Sequence, residues 1–286
     1  MNAMNRIRVL VRSRGTGTDI FRTLVSLSCQ DIGPQRLEIV LAATDVGLHT
    51  GREAKLLHSA FDFQQVQVLD ARGLSPAQAL NLAATSGDAE HLALVPEGAR
   101  LHPQFLSRCL TAMQGRKSAQ AAFCEHTAGA LDLLAFSRRP PFRPEQLVRR
   151  NAVGPAVLIQ RTAWDIMCGL RPTLGYFLWD FWLRLALAGG RIHQVAGILA
   201  SCPPMPRLSP ELDGRAKALL VVSTPGAFEP DVCRWALALL RGETWAAPFA
   251  PGVVPAPRDV AALFAGLAPP LRPGSPGWEQ RQRRSA

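Results

Sequence analysis

As far as Met113 the chain alternates between short apolar runs and segments of helical spacing, and this alternation restricts the fold more than any single motif. Ile7 to Val11, Leu37 to Ala42, Gln65 to Leu69 and His91 to Val95 are brief runs rich in Val, Ile and Leu, and they read as buried strands. Asp19 to Ser28 follows helical spacing, with Ile20, Leu24, Val25 and Leu27 on or near one face. Ser75-Pro76 opens a second helix, a serine cap followed by proline at the first helical position, which runs through Ala77 to Thr85 and stops near Gly87. His102-Pro103 opens a third, through Met113. Strands alternating with helices predict an α/β fold, a mostly parallel sheet flanked by helices. Ligands of such sheets sit beyond the carboxyl ends of the strands. The loops after Val11, Ala42, Leu69 and Val95 are therefore the places to look for chemistry.

The remainder is less regular. Gly115 to Arg150 shows no clear period, and Phe136 to Pro144 reads as a surface excursion. Val153 to Gln160 and Arg191 to Leu199 are strand-like. Between them, Phe181 to Ala188 is a helix that Gly189-Gly190 ends. After Ser201 the character changes. Cys202-Pro203-Pro204-Met205-Pro206 reads as a linker, with helical segments near Leu212 to Val222 and Pro230 to Leu240. From Pro248 the chain is rich in Pro, Gly and Ala, with a short helix at Arg258 to Leu267 and a frayed end, Arg272 to Ala286. The expected organisation is one α/β domain over residues 1–200 and a helical, proline-rich C-terminal extension over 201–286.

The formal charge of +10 invites a nucleic-acid reading. Only Lys55, Lys117 and Lys217 are lysines among 32 basic residues, and the arginines are scattered along the chain. With neither a helix-turn-helix signature nor an aromatic-glycine RNA motif, no nucleic-acid partner is expected. The densest basic cluster is Arg138, Arg139, Arg143, Arg149 and Arg150, either a solvated loop or a surface for a polyanion or an anionic membrane. The six cysteines form no CxxC pair, and the six histidines form no HExxH, so neither type suggests a metal site. No stretch approaches a membrane span, and Met1 to Arg14 lacks the apolar core of a secretory signal. A cytoplasmic location is expected, either free or peripheral to the inner membrane face.

Several short strings, in order, resemble a family 2 glycosyltransferase with the GT-A fold, over about residues 5–200. Ile7-Arg8-Val9-Leu10-Val11-Arg12-Ser13-Arg14, followed by Arg22-Thr23-Leu24-Val25-Ser26-Leu27, is similar to that family's opening strand, loop and helix. Ala79-Leu80-Asn81 followed by Gly87-Asp88 resembles its third-helix signature. Leu101-His102-Pro103 with Phe105-Leu106 is similar to the helix start after its metal-binding turn. Trp179-Asp180-Phe181-Trp182-Leu183-Arg184-Leu185-Ala186 with Gly189-Gly190-Arg191 resembles the helix associated with its catalytic base.

The resemblance implies a site for a nucleotide sugar and transfer of the sugar to an acceptor hydroxyl on a cell-surface polysaccharide, lipid or protein. Such a reaction needs positive charge for the leaving diphosphate, from a divalent metal (Mg or Mn) or from cations. It also needs a carboxylate to take the acceptor's proton. The chain departs from the family at these points. The Asp-x-Asp turn aligns with Val95-Pro96-Glu97-Gly98-Ala99, which leaves Glu97 as the one candidate metal ligand. The acidic pair aligns with Phe177-Leu178, which leaves Asp180, two residues on, as candidate base. The aspartates after the second strand align near Ala43-Thr44, with Asp45 displaced by one. Arg12, Ser13, Arg14, Asn81 and Arg100 complete the expected nucleotide-sugar set, with the arginines able to serve as diphosphate counter-charge.

Each residue also has a plain structural role open to it. Glu97 and Asp45 suit ordinary turns, and Asn81 could satisfy backbone groups between helix and strand. Asp180 could pair with Arg184 as an i,i+4 helix pair, worth a few tenths of a kcal/mol. The arginines could be solvated. The aromatic group Tyr176, Phe177, Trp179, Phe181 and Trp182 suits either a core or a sugar platform. Two functions therefore stand: a glycosyltransferase, or a catalytically inactive scaffold of the same fold acting as a binding or assembly module.

Overall fold

A computed structural model of the 286-residue chain describes residues 6–14, 17–45, 52–114, 119–127, 141–172, 175–204 and 208–266. Of the residues named above, Gly115, Lys117, Phe136, Arg138, Arg139, Met205, Pro206, Leu267 and the segment 272–286 lie outside the described residues. The chain divides into two compact units. The first comprises Met1–Pro144, Ala152–Pro172 and Phe181–Met205; the second comprises Glu145–Asn151, Thr173–Asp180 and Pro206–Ala286.

The first unit is built on one eight-stranded sheet. Its strands are β1 (Ile7–Ser13), β2 (Leu37–Ala43), β3 (Gln65–Asp70), β4 (His91–Leu94), β5 (Arg100–Leu101), β6 (Ala121–Thr127), β7 (Val157–Gln160) and β8 (Ile192–Ser201). The order is β3-β2-β1-β4-β7-β6-β8-β5. The first four run parallel, with Ile7 opposite both Leu37 and His91. β7 lies antiparallel between β4 and β6, β8 runs parallel to β6, and β5 pairs antiparallel to β8 at the edge. Every residue of β2 is buried, as expected of a parallel strand covered on both faces.

The period of two along β1 and β2 divides the core. Ile7, Val9 and Val11, with Leu37, Ile39 and Leu41, join Ile20, Leu24 and Leu27 of helix α1 (Gly17–Ser28) in one apolar cluster. Three further helices follow: α2 (Arg52–Phe61), α3 (Pro76–Thr85) and α4 (Phe105–Gln114). The buried face of α4 (Phe105, Leu106, Cys109, Leu110, Met113) joins the same cluster, while α3 packs on β1 and β2. The cap expected for α3 is a full capping box: Gln78 N donates to Ser75 Oγ at 3.3 Å, and Ser75 N donates to Gln78 Oε1 at 2.9 Å. Next come the short α5 (Arg161–Ile166) and α6 (Phe177–Leu187). Gly189, at φ +78°, follows α6 where the sequence places its stop.

At the amino ends of the strands a buried ion pair joins β1 to β2. Arg8 Nη2 donates to Glu38 Oε2 at 2.7 Å, and its Nη1 donates to Ser86 Oγ at 2.6 Å. Gly87 leaves the room: a Cβ there would stand 1.6 Å from Arg8 Nη2.

The second unit consists of helices α7 (Pro210–Ser223), α8 (Pro230–Arg241) and α9 (Pro257–Phe264), with 145–151 and 173–180. α8 packs against both α7 and α9. Gly214 permits close approach, since a Cβ there would meet Pro248 at 3.1 Å and Leu239 at 3.3 Å. Trp235 is fully buried, and its indole N–H donates to Ala247 O at 3.2 Å. The segment 145–151 is bound to this unit through Trp179 Nε1, which donates to Leu147 O at 2.6 Å, and through the Arg149–Asp259 ion pair at 3.0 Å. Among the described residues no helix is long and apolar enough to cross a membrane.

Candidate functional site

The carboxyl ends of β1 and β4 meet at one edge of the sheet, and a tight turn closes the gap. Val95 N donates to Leu10 O at 3.1 Å, which continues the ladder past β4. Ala99 N then donates to Pro96 O at 3.1 Å, which folds Pro96–Ala99 into a turn. Gly98, third in that turn, has φ +83°, a conformation that glycine adopts without steric cost. The turn places Glu97 over the end of β1.

Glu97 is buried and its carboxylate is engaged at both oxygens. Ser13 Oγ donates to Oε1 at 2.7 Å, and the backbone N–H of Arg14 donates to Oε2 at 2.8 Å. The Arg14 side chain adds an ion-pair contact at 3.8 Å from Oε2. Two more elements brace the same place. Thr44 binds Ser13 O through both its backbone N–H (2.9 Å) and its hydroxyl (3.0 Å). Gly98 N donates to Thr23 Oγ1 of α1 at 2.9 Å.

Arg12, the last but one residue of β1, lies directly before this clamp and is half-buried. Burial holds its guanidinium below the ordinary range, Arg14 adds repulsion, and Glu97 works in the opposite direction. An arginine stays charged even so. Arg12 and Arg14 thus set two guanidinium groups beside the Glu97 carboxylate, whose oxygens are already engaged.

The other expected residues are placed as follows. Asp45 is exposed, directly after Thr44 at the end of β2. Arg100 is exposed on β5, one residue beyond the Pro96–Ala99 turn, and pairs in register with Ser201. Asn81 is on α3, with its amide occupied by one backbone residue: Nδ2 donates to Leu170 O at 2.8 Å and Oδ1 accepts from Leu170 N at 2.9 Å. Asp180 lies on the first turn of α6, in the second unit, and is fully buried. Its neighbour in the helix pattern, Arg184, donates to Met167 O at 2.5 Å and Gly169 O at 2.8 Å. Trp179, Phe181 and Trp182 are buried core residues, while Tyr176 and Phe177 are partly exposed.

Two side chains of this edge were not singled out from the sequence. Thr23 and Thr44 carry no signature of their own, because a threonine in a helix or after a strand is unremarkable until its partner is known. Asp19 is a second carboxylate near the turn; its Cγ would lie 3.6 Å from a Cβ built on Gly98. It reads in the sequence as an ordinary helix-start acid, and it pairs with Arg22 at 3.1 Å.

A divalent cation fits this edge poorly. Both Glu97 oxygens already accept from Ser13 and Arg14, and a guanidinium stands beside Oε2. Among the described residues no group of three His, Cys, Asp or Glu side chains could hold a metal ion.

No family model matches the sequence, and no curated protein matches it. Solved structures do match. TarS 1–349 from S. aureus has a TM-score of 0.59 at 16% identity, over 82% of this chain and 70% of that one. The same protein in complex with UDP-GlcNAc gives 0.60 at 15% identity over the same shares. The mannosyltransferase PcManGT from Pyrobaculum calidifontis, in complex with GDP-Man and Mn2+, gives 0.59 at 15% identity over 91% of this chain and 79% of that one. At such identity the likeness carries the architecture alone. The eight-stranded mixed sheet with its flanking helices is the GT-A fold of these glycosyltransferases.

Proposed function

We propose that the chain is a glycosyltransferase that takes a nucleoside-diphosphate sugar at the carboxyl edge of β1 and β4. The sugar would go to a hydroxyl of a glycan, lipid or protein acceptor. The observation that carries this reading is the pairing of Arg12 and Arg14 around the Glu97 turn. A transferase must stabilise charge as the bond between the anomeric carbon and the diphosphate breaks. Here guanidinium groups supply it, through bidentate hydrogen bonds to phosphate oxygens. Glu97 holds the loop that presents them, and Arg100 and Asp45 flank the same edge. The complexes of TarS with UDP-GlcNAc and of PcManGT with GDP-Man support a nucleotide sugar as the ligand class. In the transfer itself the acceptor oxygen bonds to the anomeric carbon, the diphosphate leaves with the bonding electrons, and a carboxylate takes the hydroxyl proton, the role for which Asp180 is the candidate. An acceptor at a membrane surface belongs to the same proposal.

A second reading keeps nucleotide-sugar binding without transfer. It is favoured by the full burial of Asp180. One experiment separates the two. Purified protein is titrated with UDP- and GDP-sugars by calorimetry, with manganese and with a chelator, and nucleoside diphosphate release is then followed with pooled acceptors. Micromolar binding with release supports the transferase. Micromolar binding without release supports the scaffold. Absence of binding removes the transferase and leaves the inactive scaffold as an assembly module.

A further inference from the structure

We infer that a buried chain of polar contacts, Lys217–Asp213–Tyr176, positions the first turn of α6 and with it Asp180. The inference rests on the transferase reading above and deepens it by giving the C-terminal helices a part in the chemistry.

The contacts run in one direction through the second unit. Lys217 is fully buried on α7. Its ammonium lies 2.5 Å from Asp213 Oδ2 and donates to the carbonyls of Phe249 at 3.0 Å and Ala250 at 2.9 Å. Two carbonyls and one carboxylate thus surround the ammonium. Asp213, one turn earlier on the same helix, accepts at Oδ1 from Gly252 N at 2.9 Å and from the hydroxyl of Tyr176. Tyr176 immediately precedes α6, and its carbonyl accepts the first helical bond of that turn, from Asp180 N at 2.9 Å. The Tyr176 ring packs edge-on to Trp179, 5.3 Å between centroids, and Trp179 is itself tied to Leu147 O. Gly175 closes the arrangement: a Cβ there would stand 2.9 Å from Ala216 Cβ of α7.

The energetics favour a positional role. A buried ion pair gains little over well-packed apolar side chains of the same volume, because both charges must be stripped of water. What such a network does supply is a single geometry, since every donor and acceptor must be met at once. Burial lowers the Lys217 ammonium from its ordinary value, and the Asp213 bond opposes that shift. Burial first, then the bond to Asp213, raises the Tyr176 phenol.

Tyr176 is the chain's one tyrosine, which gives the test a clean reporter. Tyr176→Phe removes one hydroxyl and Asp213→Asn removes one charge. Both are measured for sugar transfer, with donor KM and kcat separated, beside tyrosinate absorbance in a pH titration of Asp213→Asn and wild type. The expected result is a fall in kcat of about 10- to 100-fold with donor KM within about twofold, as for other losses of positioning near a reacting group. The phenol of Asp213→Asn is expected to ionise at lower pH than in wild type. Wild-type kcat in both folded variants overturns the inference and leaves the transferase reading intact. A silent wild type overturns that reading, and the inference falls with it.

Discussion

Glu97 Oε1 accepts a hydrogen bond from Ser13 Oγ at 2.7 Å between two buried side chains that stand 84 positions apart in the sequence. The second oxygen accepts from Arg14 N. The Pro96–Ala99 turn thus anchors the loop after β1 and keeps the Arg12 and Arg14 guanidinium groups at the sheet edge. Glu97→Gln preserves shape, and its amide can still accept from Arg14 N and donate to Ser13 Oγ, so what is lost is the charge on two charge-assisted hydrogen bonds. The cost is about 1 kcal/mol, measurable as a lower urea midpoint. With both carboxylate oxygens engaged by the loop, nucleotide-sugar affinity in wild type is expected to be the same with manganese or chelator. Manganese-dependent affinity that Glu97→Gln abolishes would reverse this assignment.

The two arginines make a second expectation. Arg12→Met removes a partly desolvated positive charge beside Arg14, and is expected to weaken nucleoside-diphosphate affinity about tenfold, roughly 1.4 kcal/mol. Affinity for the uncharged nucleoside should be unchanged. Wild-type affinity should decline with added salt, as screening weakens a contact that solvent still reaches. Equal losses for nucleoside and nucleoside diphosphate would mean that Arg12 shapes the loop and does not meet phosphate.

Gly87 is a stability test away from the site. A Cβ at this position would stand 1.6 Å from Arg8 Nη2 and 2.3 Å from Cζ. The guanidinium has nowhere to retreat while it holds Glu38 at 2.7 Å and Ser86 at 2.6 Å. Gly87→Ala therefore breaks a buried pair, at about 3–5 kcal/mol. Gly226→Ala, where nothing lies within 4 Å, is the control and should change stability by less than about 0.5 kcal/mol. Similar midpoints for the two variants would sink the account of Gly87.

Much of the fold was legible because local signals agreed. β1 to β4 are apolar runs separated by turn chemistry, and the Ser75-Pro76 start of α3 is confirmed by its capping box. The elements that escaped lack those signals. β6 reads AAFCEHT, with no Val or Ile, and is a strand because β7 and β8 flank it. α5 has six residues, too few for a helical period to emerge, and β5 has two. α2, REAKLLHSAF, follows a segment whose turn residues drew the reading away from it. The site was half legible. Glu97, Arg12 and Arg14 came from the resemblance at the strand ends, but the bonds that tie Glu97 to Ser13 and Arg14 are contacts of distant segments. Asn81 illustrates the opposite case: its partner, Leu170, lies 89 positions away, and both bonds are to backbone.

Buried thiols give the chain a marked alkaline limit. Cys124 and Cys202 are buried, and desolvation pushes each thiol up to about 12 from an ordinary 9.0. Cys109, also buried, is raised well above its ordinary value by the same cause. The sign follows from linkage. As pH rises past 9, the unfolded chain releases these protons while the folded chain keeps them, so the unfolded state binds fewer protons and stability falls. The fall continues until the folded thiols ionise near 12. Each thiol contributes a slope of up to about 1.4 kcal/mol per pH unit in that window. Urea midpoints taken from about pH 8 to 11 should therefore decline, and Cys124→Ala should decline less steeply, even though its midpoint at neutral pH is lowered by the lost side chain. A slope for Cys124→Ala equal to that of wild type would show that this thiol ionises as freely folded as unfolded.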